Sequence, residues 1–204
     1  GQPITFGHYL TAISSAFTRD FDRLKAAYIN TNQCPYGTAA FAGSSFPLDR
    51  QMLSDLLGFD KVLENSLDCI GSRDYILEVD AALSLMSVNI SRFAEDLYIW
   101  ATYEFGTLDF DGEIAICSSI MPQKKNPMSL EYAKGKASHA IGALMSGIST
   151  LKNAPYTNNG DELQTSAMYW DGLKAAYTSL GMLMQTIKHC SIRKERAYKN
   201  AAEN

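Results

Sequence analysis

The sequence predicts an all-α protein, and three observations carry that prediction. Apolar residues recur at alternating steps of three and four along several long stretches, the period of one helical face. The connecting segments are rich in Gly, Pro, Asn and Ser, residues that break helices and form turns. No stretch shows the strict apolar–polar alternation of a half-buried strand. The expected architecture is a long-helix bundle with four long helices and one short one.

The first helix is marked by Phe6, Leu10, Ile13, Phe17, Phe21, Leu24 and Tyr28. A breaker-rich loop from Cys34 to Pro47 follows, then a short helix from Leu48 to Leu57, closed by Gly58 at the position where helices favour a left-handed glycine. The second long helix carries Ile76, Val79, Leu83, Met86, Ile90, Phe93, Leu97 and Trp100, a seam sustained over more than three heptads. Taken from Arg73 to Glu104 it spans about 48 Å at about 1.5 Å per residue. After a loop from Gly106 to Pro127, the third helix shows Leu130, Ala133, Ala137, Ile141, Leu144, Ile148 and Leu151. It also carries Gly135, Ala140, Gly142, Ala143 and Gly147, small residues that let helices approach closely. Beyond the Asn153–Asp161 loop, the fourth helix shows Trp170, Leu173, Tyr177, Leu180, Met184 and Ile187. Each stripe is read as core-facing. Helices this long in a chain this small leave outer faces that a larger, self-associated bundle would cover.

Length and composition bound the function classes. A chain of 204 residues fits one large domain with a sizeable core. Its 46% hydrophobic and 20% charged content is ordinary for a globular protein. A net charge of −4 gives no reason to expect nucleic acid or a membrane surface as partner. No apolar run approaches the roughly 20 residues that cross a bilayer. Cys34, Cys69, Cys117 and Cys190 are widely spaced, which favours reduced thiols in a cytoplasmic protein. His8, His139 and His189 show no ligand spacing, so no metal is expected, and no motif implies another cofactor. The chain enters periodic apolar sequence directly after Gly1-Gln2-Pro3 and stops at RKERAYKNAAEN without a terminating motif. Residues 1–204 are therefore read as one domain of a longer protein.

Residues 118–131, SSIMPQKKNPMSLE, carry the chemistry. Asn126 suits a helix N-cap and Pro127 the first helical position. The free amides of that helix end attract anions, and Lys124 and Lys125 add full positive charge there, against the preference of the helix dipole. A substrate carboxylate is the simplest anion to offset that arrangement. Ser118 and Ser119 lie a few residues upstream, and a serine hydroxyl becomes a useful base only where its oxyanion is stabilised. From spacing alone two readings fit: an anion-binding, proton-abstracting loop, or a solvated serine-rich loop before an ordinary Asn-Pro helix start.

The stretch SSIMPQKKNP resembles the signature of the fumarase/aspartase superfamily, GSS-x-MP-x-K-x-NP, and is most similar to its argininosuccinate lyase branch. QPITFGHYL at 2–10, AGSSFPLDR at 42–50, GFDKVLENSLD at 58–68, SRDYILE at 72–78 and ALSLMSVNISRFAEDL at 82–97 extend the resemblance over about three quarters of the chain. It implies a central helical-bundle domain from which N- and C-terminal domains are absent, assembled as a homotetramer whose active sites draw on three subunits. It also implies a cofactor-free carbon–nitrogen lyase acting on a small carboxylate by β-elimination, releasing fumarate and an amine-bearing product such as arginine. By that resemblance Ser118 falls on the catalytic base. Lys124 and Asn126 fall on residues holding the substrate carboxylate, and Glu131 on the carboxylate that orients a catalytic histidine. With a one-residue gap, Gln164 falls on a substrate-contacting glutamine.

Three departures stand out. The position of the family's catalytic histidine would precede Gly1, so the 204 residues alone are expected to be inactive. Cys117 replaces the usual glycine before the two serines, which removes backbone freedom. PYTNNGDELQTSA at 155–167 replaces the YNKDLQEDK-like stretch, which puts arginine as product in doubt. A different N-succinyl or aminocarboxylate substrate is the alternative, and an inactive structural homologue is another.

Overall fold

The computed structural model describes residues 2–112, 114, 116–117, 120–121 and 125–203, with 116 and 117 described in the backbone only. The four expected long helices are present as α1 (Phe6–Thr31), α4 (Asp74–Trp100), α5 (Met128–Leu151) and α6 (Gly160–Lys188). Among the described residues three short helices accompany them where the sequence predicts one: the expected α2 (Arg50–Leu57), and α3 (Ser66–Gly71) and α7 (Lys194–Ala202), both too short or too polar to show an apolar stripe. Among the described residues six strands of two or three residues pair into three two-stranded ladders, too short for any sequence period to announce them.

Capping explains most helix starts. The Thr5 hydroxyl accepts from the His8 amide, the Asp49 carboxylate from Met52, and the Asn65 side chain from Leu67 and Asp68. The Asn159 side chain accepts from the Glu162 amide, while Asp161 and Glu162 at the start and Lys188 at the end of α6 complement its dipole. Gly58 closes α2 at φ 78°, as its position in the sequence requires.

The buried seam of α4 consists of Leu83, Met86, Ile90, Phe93, Ala94 and Leu97, packed with Leu130, Ala140, Ala176 and Leu183 from α5 and α6. α5 lies between α4 and α6, and α1 packs on α4. The α5–α6 contact is made by small residues. A Cβ added to Gly172 would come within 2.4 Å of the Ala143 Cβ, so the two backbones approach as closely as glycine permits. The Ser179 hydroxyl spans the same contact, donating to the Ala133 carbonyl at 2.7 Å.

Three expectations are corrected. α4 ends at Trp100 rather than Glu104, because the Thr102 hydroxyl takes the Ile99 carbonyl and the Thr107 amide and hydroxyl both take that of Trp100. Asn126 is not an N-cap. It pairs with Ile116 in a ladder, Pro127 occupies the cap position, and α5 begins at Met128. Finally, the large apolar stripe of α6 is not core-facing as a whole: Trp170, Tyr177, Met184 and Ile187 are exposed. The buried face is instead Gly172, Ala175, Ala176, Ser179, Leu183 and Thr186. On α1, Leu10, Phe21 and Tyr28 are likewise exposed, as are Ile141 and Ile148 on α5.

Candidate active site

The segment that joins α4 to α5 is held at both flanks. On its upstream side β3 (Leu108–Phe110) pairs antiparallel with β6 (Cys190–Ile192), and Leu108 and Phe110 are buried in the core. Further on, β4 (Ile116–Cys117) pairs antiparallel with β5 (Lys125–Asn126), so that Ile116 faces Asn126 and Cys117 faces Lys125. Ser118 follows Cys117 directly in the chain, and Lys124 directly precedes Lys125. Ser118 and Lys124 themselves lie outside the described residues.

The second ladder delivers the chain to an open helix end. Among the described residues no side chain caps α5, and Leu130 N–H donates back to the Pro127 carbonyl at 3.0 Å. The first-turn amides and the positive end of the α5 dipole therefore stand beside the β4–β5 ladder without a side-chain anion of their own at the cap. Asn126 is half-buried in that ladder. Glu131 lies in the first turn of α5, exposed and without a hydrogen-bond partner among the described residues. A carboxylate in that turn suits the helix dipole. Lys125 donates through Nζ to the Phe110 carbonyl at 3.4 Å, joining the downstream flank to β3.

Electrostatics around β3 are set by its neighbours. The Arg193 guanidinium, 2.9 Å from the Asp109 carboxylate, holds the Asp109 carboxyl below the usual range. Burial, with Asp109 and Asp111 nearby, pushes the Cys190 thiol up to about 11, which keeps it protonated and unreactive at neutral pH. His189 Nδ1 lies 3.4 Å from Asp111 at the point where the chain leaves β3.

Gln164 is elsewhere. It sits on the exposed side of the first turns of α6, whereas the Asn126–Glu131 region meets the far end of that helix, where the Ser129 and Thr186 hydroxyls are 2.7 Å apart. The 22 residues from 164 to 186 amount to about 33 Å of helix. One chain thus brings Asn126 and Glu131 together and keeps Gln164 at the opposite end of the bundle.

That opposite end has features the sequence did not announce. Arg73 reaches the buried Glu162 carboxylate at 2.8 Å and ties the start of α4 to the start of α6. A cavity of about 510 Å³ opens beside them, with Asp68, Asp74 and Glu78 on its wall. Each of these carboxylates already accepts a hydrogen bond, from Tyr156, Ser72 and Asn30 respectively. Among the described residues no group of His, Cys, Asp and Glu is arranged to hold a metal ion, and no described helix is long and apolar enough to cross a membrane.

Comparison with known proteins decides the family. A family model described as Lyase matches residues 1–142. The chain belongs to this lyase family, within the fumarase/aspartase superfamily. Argininosuccinate lyase 1 of Shouchella clausii is 44% identical over 204 residues, all of this chain and 41% of the relative. Argininosuccinate lyase of Methanosarcina barkeri is 41% identical over 194 residues, covering 95% of this chain and 40% of the relative. The chain thus spans about two fifths of the length of these relatives. Among solved structures, EDDS lyase in complex with formate superimposes at a TM-score of 0.91, with 36% identity over 99% of this chain and 40% of that one. A class II fumarase from Schistosoma mansoni superimposes at 0.80 with 14% identity over 98% of this chain and 47% of that one, a likeness of fold alone. The all-α bundle expected from the sequence is the fold of this family.

Proposed function

We propose that the complete protein is a carbon–nitrogen lyase of the argininosuccinate lyase type, releasing fumarate and an amine-bearing product by β-elimination. The observation that carries this reading is the start of α5, which no described side chain caps, joined by the β4–β5 ladder to the residues flanking Ser118 and Lys124. In this reading Ser118 takes the proton from the carbon next to a substrate carboxylate. The negative charge that develops there spreads onto that carboxylate, where Lys124, Asn126 and the α5 amides oppose it. Groups that meet the charge only as it grows lower the barrier rather than merely tightening binding. Glu131 orients a catalytic histidine supplied from outside residues 1–204.

The site is shared between copies of the chain. Within one copy Gln164 is about 33 Å along α6 from the Asn126–Glu131 region. The exposed apolar faces of α1, α5 and α6 are surfaces a neighbouring copy would cover. A homotetramer in the cytoplasm with cofactor-free chemistry completes the reading, and the isolated 204 residues are expected to be inactive.

A second substrate reading has a specific motive. EDDS lyase matches this chain at 36% identity and a TM-score of 0.91, and residues 155–167 depart from the argininosuccinate lyase pattern. The leaving amine is therefore either arginine or the amine of another N-succinyl or aminocarboxylate compound. Fumarate release, followed by its ultraviolet absorbance across argininosuccinate and a panel of N-succinyl amines, separates the two. Turnover of argininosuccinate alone rejects the second reading, and no turnover of any member by a folded assembly rejects both.

A further inference from the structure

The stretch that follows α6 holds the upstream flank of the 118–124 segment almost residue by residue. The β3–β6 ladder is extended at both ends, by Asp111 N–H donating to the His189 carbonyl at 3.0 Å and Arg193 N–H to that of Thr107 at 2.9 Å. Outside the ladder the Arg193 guanidinium meets Asp109 at 2.9 Å. Arg196 donates through Nε to the Phe105 carbonyl at 3.1 Å and through Nη2 to that of Glu104 at 2.8 Å. Asn200 donates to the same Phe105 carbonyl at 2.7 Å. Gly106, at φ 57°, turns the chain beneath the Arg196 side chain. The downstream flank shares the same anchor, since Lys125 donates to the Phe110 carbonyl.

We propose that residues 189–200 form a positioning strap for β3 and, through the Lys125–Phe110 bond, for the strand that leads into α5, with Arg193 and Arg196 as its two positioning residues. This rests on the lyase reading above for the consequence in catalysis, but the strap itself is defined by the bonds to residues 104–111. Fixing β3 and β5 holds Asn126 and the start of α5 in one geometry, and geometry within a fraction of an ångström governs rate. Arg193 and Asp109 are both substantially exposed, and exposed ion pairs add little to global stability. Loss of the strap is therefore a local event that leaves the bundle folded.

The test uses the complete protein with Arg193 and Arg196 both replaced by Gln, beside a variant with both replaced by Lys. Hydrogen exchange is read at residues 107–117 and 125–127, with the buried α4 amides at 83–97 as internal reference. The expected result is about tenfold faster exchange at the flanks with α4 unchanged. Fumarate release should show kcat about tenfold lower with KM within about twofold, and the double Lys variant should recover most of both losses. Unchanged exchange at the flanks overturns the strap. So does faster exchange spread equally to α4, or faster flank exchange with kcat intact. If the unaltered protein releases no fumarate, the lyase reading fails, and exchange alone then decides whether the strap holds.

Discussion

Asp80 is the side chain whose environment is least expected from its chemistry. It is 3% exposed on α4, and no hydrogen-bond donor reaches it among the described residues. Burial pushes its carboxyl up to about 6, with Tyr75 and Tyr169 as titratable neighbours in the same region. The fold thus favours the protonated form, and the penalty for the charged form is fully present above pH 6. It is relieved as the pH falls through 6 toward the ordinary carboxylate value near 4. Asp80→Asn should stabilise the chain by about 1–2 kcal/mol at pH 8 and by much less at pH 4.5. Urea unfolding at the two pH values checks this, and an equal effect at both would show that Asp80 is not the titrating group. At the same scale, Asn126 shows how a local preference is overridden. Its side chain is suited to capping, yet its backbone is committed to Ile116, and the cap position passes to Pro127. Propensity reads one residue at a time, whereas the ladder depends on a partner ten residues away in the chain.

At the scale of elements, the seam of α4 was legible because one apolar face dominates that helix and the core covers it. The stripe on α6 misleads because that helix has two usable faces. Periodicity finds the face with the larger side chains, but close packing against α5 selects the face with Gly172, Ala175, Ala176 and Ser179. Of the small residues of α5 that permit close approach, Ala140, Ala143 and Gly147 are buried, whereas Gly135 and Gly142 face outward and are exposed. The contrast makes a paired prediction. Gly172→Ala places a methyl against the Ala143 Cβ and should destabilise the chain by about 1–3 kcal/mol through overpacking. Gly181→Ala meets nothing within 4 Å and should gain about 0.5–1 kcal/mol from helix propensity. Thermal unfolding of both variants decides it; similar shifts would mean that the α5–α6 contact relaxes freely. The two- and three-residue ladders could not be read from sequence at all, and they are what frames the candidate site.

For the whole molecule, the exposed faces set the expectation. Phe21 and Tyr28 on α1, Met145 on α5 and Trp170 and Tyr177 on α6 are all more than half exposed. Long apolar stripes facing solvent on several helices are characteristic of chains that associate. Sedimentation of the complete protein should show a single species of four copies at micromolar concentration, and a monomer with full activity would contradict a site shared between copies. The family was legible in the ten residues SSIMPQKKNP, because they match the superfamily signature, whereas their chemistry alone fits a solvated serine-rich loop equally well. The substrate was not legible, since the segment at 155–167 that departs from the pattern lies at the opposite end of the bundle from Asn126 and Glu131. In the proposed reading the site is completed by a neighbouring copy, and periodicity within one chain carries no signal of that.

The most direct measurement is the kinetics of fumarate release by the complete protein and by its Ser118→Ala variant, with the assembly state of both checked. The variant should lose about a hundredfold or more in kcat with KM changed only a few-fold, because a group acting in the transition state has been removed. A variant that retains kcat would contradict the assignment of Ser118 as the base.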